Sequence, residues 1–211
     1  MQTARERLSH LLALAAEGPR ERQELIDELA DLLLNWPSDC PAAMRTPVAA
    51  LLENTVREAD EATRATLAAR LGGHAELPLD LVNEFYLCAP KAVRREILAR
   101  NERDLRAHIP APVHDASSLI AAARAAAGKD FENIFGAMLH IAPKTAEAIL
   151  ADETAESLAV LCKGAQLNRA VFSSLALLRF NGGGDVSARL CAFDGVPMHA
   201  AENLTSYWQM H

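Results

Sequence analysis

The chain has 211 residues, half of them apolar but only 5% aromatic, and a net charge of −7. This length accommodates one large domain or two small ones, each with a core. Leu and Ala, both good helix formers, far outweigh the Val, Ile and Thr runs that mark strands. The charge is spread as −5 over residues 1–60, +1 over 61–110 and −3 over 111–211, which argues against general binding to a phosphate backbone, since that needs clustered positive charge.

Arg5 and Arg7 precede "LLALAA", a faint hint of a secretion signal. Glu6 and His10 interrupt it, and Leu8, Leu11, Leu12 and Ala15 instead share one face of a helix expected from about Thr3 to Glu17. Gly18-Pro19 breaks that helix, with Pro19 placed to open the next. The second helix carries Leu25, Leu29, Leu32 and Leu33 on one face and stops before Pro37. "WPSDCP" reads as a turn, and a third helix from about Ala42 to Glu58 shows Val48, Leu51, Leu52 and Val56 at helical spacing.

An echo follows. "DEATRATLAARL", from Asp60 to Leu71, returns thirty residues later as "PKAVRREILARN", from Pro90 to Asn101. Ala62, Arg64, Ala69 and Arg70 recur as Ala92, Arg94, Ala99 and Arg100, and Leu67 is answered by Ile97. Gly72-Gly73 is expected to end the first copy through a positive φ. Pro78 then opens "PLDLVNEFYLCA", a helix ending before Pro90. Helix, turn and helix in about thirty residues cannot bury an apolar face alone, but they can when stacked on a neighbour, as in an α-solenoid. A third copy near residue 121 would keep only Ala122 and Arg124.

"HIPAPVHD", residues 108–115, carries two prolines and no apolar period, and reads as a linker. Helices are expected beyond it at about 116–127, 130–140, 143–151, 154–165, 168–180, 185–193 and 198–209, with Thr154 and Asn168 as N-caps. The expected fold is thus all-α: an α-solenoid of HEAT-like helical hairpins with a more bundle-like C-terminal half. Its regions are 1–107, the linker 108–115, and a helical region 116–211 packed on the first.

The segments "ATRATLAARL", "ELPLDLVNEF" and "APKAVRREILARN", with the later "ESLAVLCKGAQLNRAVFSSLALL" and "NLTSYWQM", resemble the bacterial family known as domain of unknown function 2336. The resemblance runs from about Asp60 to the end. It implies a helical, HEAT-like bacterial protein and brings no activity, cofactor or catalytic residue.

Chemistry-bearing motifs are few. "NGGGD" at 181–185 lacks the strand before it and the Lys and Ser/Thr after it that a phosphate loop needs, so glycine ending one helix and Asp185 capping the next is the simpler account. His10, His74, His108, His114, His140, His199 and His211 form no i, i+4 pair on a helix, so no metal site is expected. Cys40, Cys88, Cys162 and Cys191 make no CxxC pair and are expected to be buried free thiols in a reducing compartment. There is no GxSxG; Ser173-Ser174 reads as helix packing, and no enzyme activity or cofactor is expected. No run approaches the roughly 18 apolar residues of a membrane span. Trp36, Tyr207 and Trp208 stand near element ends, as residues closing a core do.

The remaining cluster is basic: Arg94, Arg95, Arg100, Arg103 and Arg106, with Arg64 and Arg70 in the preceding unit. On stacked repeats, equal positions form a ladder that could grip acidic groups of a partner. The competing account has these arginines bind carboxylates or helix C-termini inside the array, with Glu96, Glu102 and Asp104 as acceptors. The functional expectation is a non-enzymatic, regulatory protein-interaction or scaffold module in a bacterial cytoplasm, with Arg64, Arg94, Arg95 and Arg100 meeting an unknown protein partner and self-association as a further expectation. The alternative is HEAT-like nucleic-acid binding through the local basic patch, which the acidity of the chain disfavours.

Overall fold

A computed structural model describes residues 19–105, 110–111, 113, 115–125, 128–180 and 185–211. The helix expected at 3–17, Arg106, His108, His114 and the residues 181–184 of "NGGGD" lie outside this set. Among the described residues there are helices, turns and loops and no strand. The chain divides into two compact units, Met1–Ile97 and Leu98–His211.

In the first unit, α1 (Pro19–Leu34) buries the expected Leu25, Leu29, Leu32 and Leu33 together with Ile26. A 3-10 turn at Ala42–Met44 leads into α2 (Arg45–Arg57), which buries Val48, Leu52 and Val56 and packs on α1. Between them, the indole N–H of Trp36 donates to the Cys40 carbonyl at 3.3 Å, and the Arg45 guanidinium lies 5.9 Å from its ring centre. Next, α3 (Glu61–Leu71) starts on Asp60, whose carboxylate accepts the Thr63 N–H at 2.8 Å, an N-cap that satisfies one orphan donor of the first turn. Then come α4 (Leu79–Glu84), a 3-10 turn at Tyr86–Cys88, and α5 (Lys91–Arg103), whose first half belongs to this unit.

The echo extends to burial. Position for position, 61–70 and 91–100 alternate exposed, half-buried and buried in the same order, with only Ala65 and Arg95 differing. Leu67 and Ile97 are both fully buried. The glycine after α3 has a different role from the expected one: Gly72 has φ −60, an ordinary right-handed value. A Cβ at Gly72 would run into the Val93 side chain, and one at Gly73 would lie 2.5 Å from a Glu96 carboxylate oxygen. Glycine is needed at Gly72 because Val93 of α5 approaches closely, whereas at Gly73 the mobile end of Glu96 could swing aside.

In the second unit, α6 (Ala116–Ala125), α7 (Lys129–Leu139), α8 (Pro143–Ala151), α9 (Glu156–Gly164), α10 (Arg169–Arg179), α11 (Val186–Gly195) and α12 (Met198–Met210) follow in short steps. Their bounds sit within a few residues of the periodic pattern. Ser157 to Cys162 on α9 and Asn203 to Trp208 on α12 are six consecutive buried residues each. A helix buried on every side must be enclosed, and α9 packs on α8, α10, α11 and α12. The α9–α12 pair approaches through small residues: a Cβ on Gly164 would strike the Thr205 hydroxyl and the Ala201 carbonyl. Tyr207 and Trp208 close this core, as expected.

Two caps are as expected: Asn168 accepts from the Val171 N–H at 3.0 Å and Asp185 from the Ala188 N–H at 3.1 Å. Thr154 stands one residue before the cap position, its hydroxyl accepting the Glu156 N–H at 3.3 Å, but it is not the main cap. Asp152 takes that role, accepting the Ser157 N–H at 3.0 Å and its hydroxyl at 2.6 Å, while Ala155 occupies the cap position with φ 59. A carboxylate accepts more donors than a threonine hydroxyl, so it can gather the loop around itself.

Candidate functional site: the matched arginines

Helix positions 64 and 94 carry the same residue at the same depth, both half-buried. Their surroundings differ. The Arg94 Nε–H donates to the Ala89 carbonyl at 3.0 Å and its Nη2 to the Leu87 carbonyl at 2.9 Å. The guanidinium also lies 5.5 Å from the Tyr86 ring centre. Arg94 therefore closes the C-terminal end of the 3-10 turn, where carbonyls lack helical partners. Arg64, by contrast, has its Nε buried with no hydrogen-bond acceptor.

Cys88 lies near both. Burial pushes its thiol up to about 11, and Glu84 adds to that, while the charges of Arg64 and Arg94 and a backbone hydrogen bond pull the other way. The thiol donates to the Phe85 carbonyl at 3.3 Å. A protonated, part-buried thiol is a poor nucleophile.

The second matched pair is Arg70 and Arg100. Arg70 reaches back to α1, with Nη2 2.6 Å from Asp31 and Nη1 3.4 Å from Asp27. These groups are largely exposed, so the pairs contribute only about 0.2–1 kcal/mol each, yet they set which faces of α1 and α3 meet. Thr63 supports the same seam, its hydroxyl donating to Gln23 at 3.1 Å. Arg100, in the second unit, has its pKa lowered by burial and by the nearby Arg103 charge. Arg103 donates from Nε to the Ala99 carbonyl at 2.9 Å. Arg95 is exposed. Of the carboxylates near these arginines, Glu102 accepts the Ala200 N–H at 3.1 Å, capping α12 from a distant part of the chain, and Glu96 lies beside Gly73.

The cysteines are free, and only Cys162 is fully buried; Cys40 and Cys88 are half-buried and Cys191 is exposed. Cys191 departs from the expected burial because the apolar stretch around it belongs to α11, none of whose residues is fully buried. Ser174 donates to the Ala170 carbonyl at 2.9 Å, a backbone bond within its own helix. Among the described residues, no group of three or more His, Cys, Asp or Glu stands together as a metal-ligand set would. No described helix is long and apolar enough to cross a membrane.

Sequence reasoning missed a polar seam in the second unit. His199 Nε2 lies 2.5 Å from the Asp104 carbonyl, and the Asn203 amide donates to the Asn101 carbonyl at 2.8 Å. The Gln209 side chain accepts the Ala111 N–H at 2.7 Å and donates back to its carbonyl at 3.2 Å. The available signal was polar residues breaking the apolar run of the closing "NLTSYWQM".

Residues 113–196 match the model of a family described as an uncharacterised protein conserved in bacteria (DUF2336). The resemblance read from the sequence holds over that segment, which covers α6 to α11 and leaves out the echo at 60–101. No curated protein and no solved structure matches the chain.

Proposed function

We propose that this chain, with its DUF2336 segment, is a non-enzymatic interaction module whose HEAT-like hairpins around residues 60–101 present a surface to another protein in a bacterial cytoplasm. The observation that carries this reading is the burial echo. Two helices thirty residues apart expose, half-bury and bury the same positions, and the glycines ending the first abut the second. Both support a reading as repeated hairpins, an architecture whose usual use is an extended binding surface. The engagement of Arg70 and Arg94 by acceptors within the chain weighs against a nucleic-acid groove, which would need those cations facing phosphates.

The test is affinity capture from a bacterial lysate at mild salt, with the wild-type chain, an Arg95→Glu variant and an unrelated helical protein. Arg95 is chosen because it is exposed, whereas changing Arg94 would disturb the turn it closes. The expected result is at least one protein enriched on the wild-type chain and diminished on the variant. No enrichment over the control protein defeats the reading.

A further inference from the structure

We infer that Gln209 is a latch: its side-chain amide holds the Pro110–Ala111 step against the last turn of α12, in a contact that opens and closes while the rest of the second unit stays folded. Its Oε1 accepts the Ala111 N–H at 2.7 Å, and its Nε2 donates to the Ala111 carbonyl at 3.2 Å and to the Leu139 carbonyl at 2.9 Å. Both amide protons are thereby used. One side chain reads the two main-chain groups of residue 111 and also supplies a donor to the last residue of α7, whose carbonyl has no partner in its own helix. Ala111 and the end of α7 are therefore released together.

Three features make this joint lightly held. It sits at the end of α12, where the buried run stops at Trp208 and the residues after Gln209, Met210 and His211, are exposed. Gln209 and Ala111 are themselves half-buried, so water can replace their mutual bonds. Apolar anchorage comes from Pro110, which is buried, whereas Leu105 is 93% exposed. Hydrogen bonds that exchange for bonds to water contribute little net stability, so such a contact opens at lower free energy than a packed core. The chain on either side is tied down. Upstream, the Asp104 carbonyl meets His199 and the Asn101 carbonyl takes the Asn203 amide. Downstream, Asp115 accepts the Ser118 N–H at 3.0 Å at the start of α6. Opening at Gln209 thus stays between two fixed points and leaves the α9–α12 packing intact.

The test is native-state hydrogen exchange of the full chain by NMR at rising, sub-denaturing urea. The proteins are wild type, Gln209→Leu, which keeps the bulk and removes the amide, and Met210→Ala, which alters an exposed neighbour. In wild type the Ala111 N–H is expected to be protected and to exchange through an opening that urea leaves unchanged. The Leu161 and Leu204 N–H groups should exchange through an unfolding that urea promotes. Gln209→Leu should cut Ala111 protection about tenfold, shift the Leu139 carbonyl carbon resonance, and leave Leu161 and Leu204 as protected as before. Met210→Ala should change none of these. An unprotected Ala111 N–H in wild type, or full Ala111 protection in Gln209→Leu, overturns the latch. So does Ala111 exchange with the urea dependence of Leu161, or a loss in Gln209→Leu shared equally by Leu161 and Leu204, since either marks an ordinary bond of the core.

Discussion

Two helices of the second unit end on residues other than glycine in the left-handed region. His140 follows α7 with φ 56 and Gln166 follows α9 with φ 60. In both, the next N–H reaches back five residues, Ile141 to the Gly136 carbonyl at 3.0 Å and Leu167 to the Cys162 carbonyl at 2.8 Å, the Schellman closure that favours glycine. Both side chains are exposed, so glycine would relieve strain without removing packing. His140→Gly and Gln166→Gly are each expected to raise stability by about 0.5–1 kcal/mol, the strain relief exceeding the added freedom of the unfolded chain; urea unfolding measures it. The thiols make a second expectation. Cys88 holds its proton more tightly folded than unfolded, with a pKa of about 11 against an ordinary 9.0. Its contribution to stability is therefore full below about pH 9 and is lost as pH rises toward 11. Alkylation followed by peptide mass mapping should find exposed Cys191 modified first at mildly alkaline pH, Cys88 only as pH approaches 11, and Cys162 only on unfolding.

At the scale of elements, small residues decide which helices touch. Apolar residues on α9 and α12 announce that both are to be buried, but their closeness depends on Gly164 opposite Ala201 and Thr205. Gly164→Ala should destabilise the second unit by about 1–3 kcal/mol through overpacking. At Gly195, the end of α11, a Cβ would meet nothing within 4 Å, so Gly195→Ala should be neutral or stabilising by up to about 1 kcal/mol. Thermal unfolding of the two variants side by side separates packing from helix propensity. Helix positions were largely legible in the sequence: α8 spans Pro143–Ala151 where residues 143–151 were expected, because periodicity and a proline at the first position are local signals. The misreadings at Gly72 and Thr154 have one cause. A glycine before a turn and a threonine before a helix carry local meanings, and a neighbouring helix or a better acceptor overrode them.

At the scale of the molecule, α12 is the closing piece of the second unit. Leu204, Tyr207 and Trp208 are buried beside Ala200 and Ala201, and burying each large side chain is worth roughly 1.5–3 kcal/mol. Their sum is comparable with the net stability of a typical domain. Deleting Met198–His211 should therefore abolish cooperative unfolding of residues 98–197 while amides of 19–97 keep their protection, read by hydrogen exchange. Loss of protection in both units, or in neither, would contradict that division of stability.

The amino-acid sequence by itself determined the helical class, the thirty-residue echo and most helix bounds. Each follows from residue type and spacing within one or two turns. Only the tertiary structure decided that Arg94 and Arg70 bind acceptors within the chain while the Nε groups of Arg45, Arg64 and Arg179 are buried without one. It also decided that Glu102 caps α12 and that Gln209 binds Ala111. Those outcomes depend on groups from distant parts of the chain, or from opposite ends of a turn, arriving within about 3 Å of each other. A hydrogen bond's short reach makes that a property of packed helices, which no local pattern of side chains encodes.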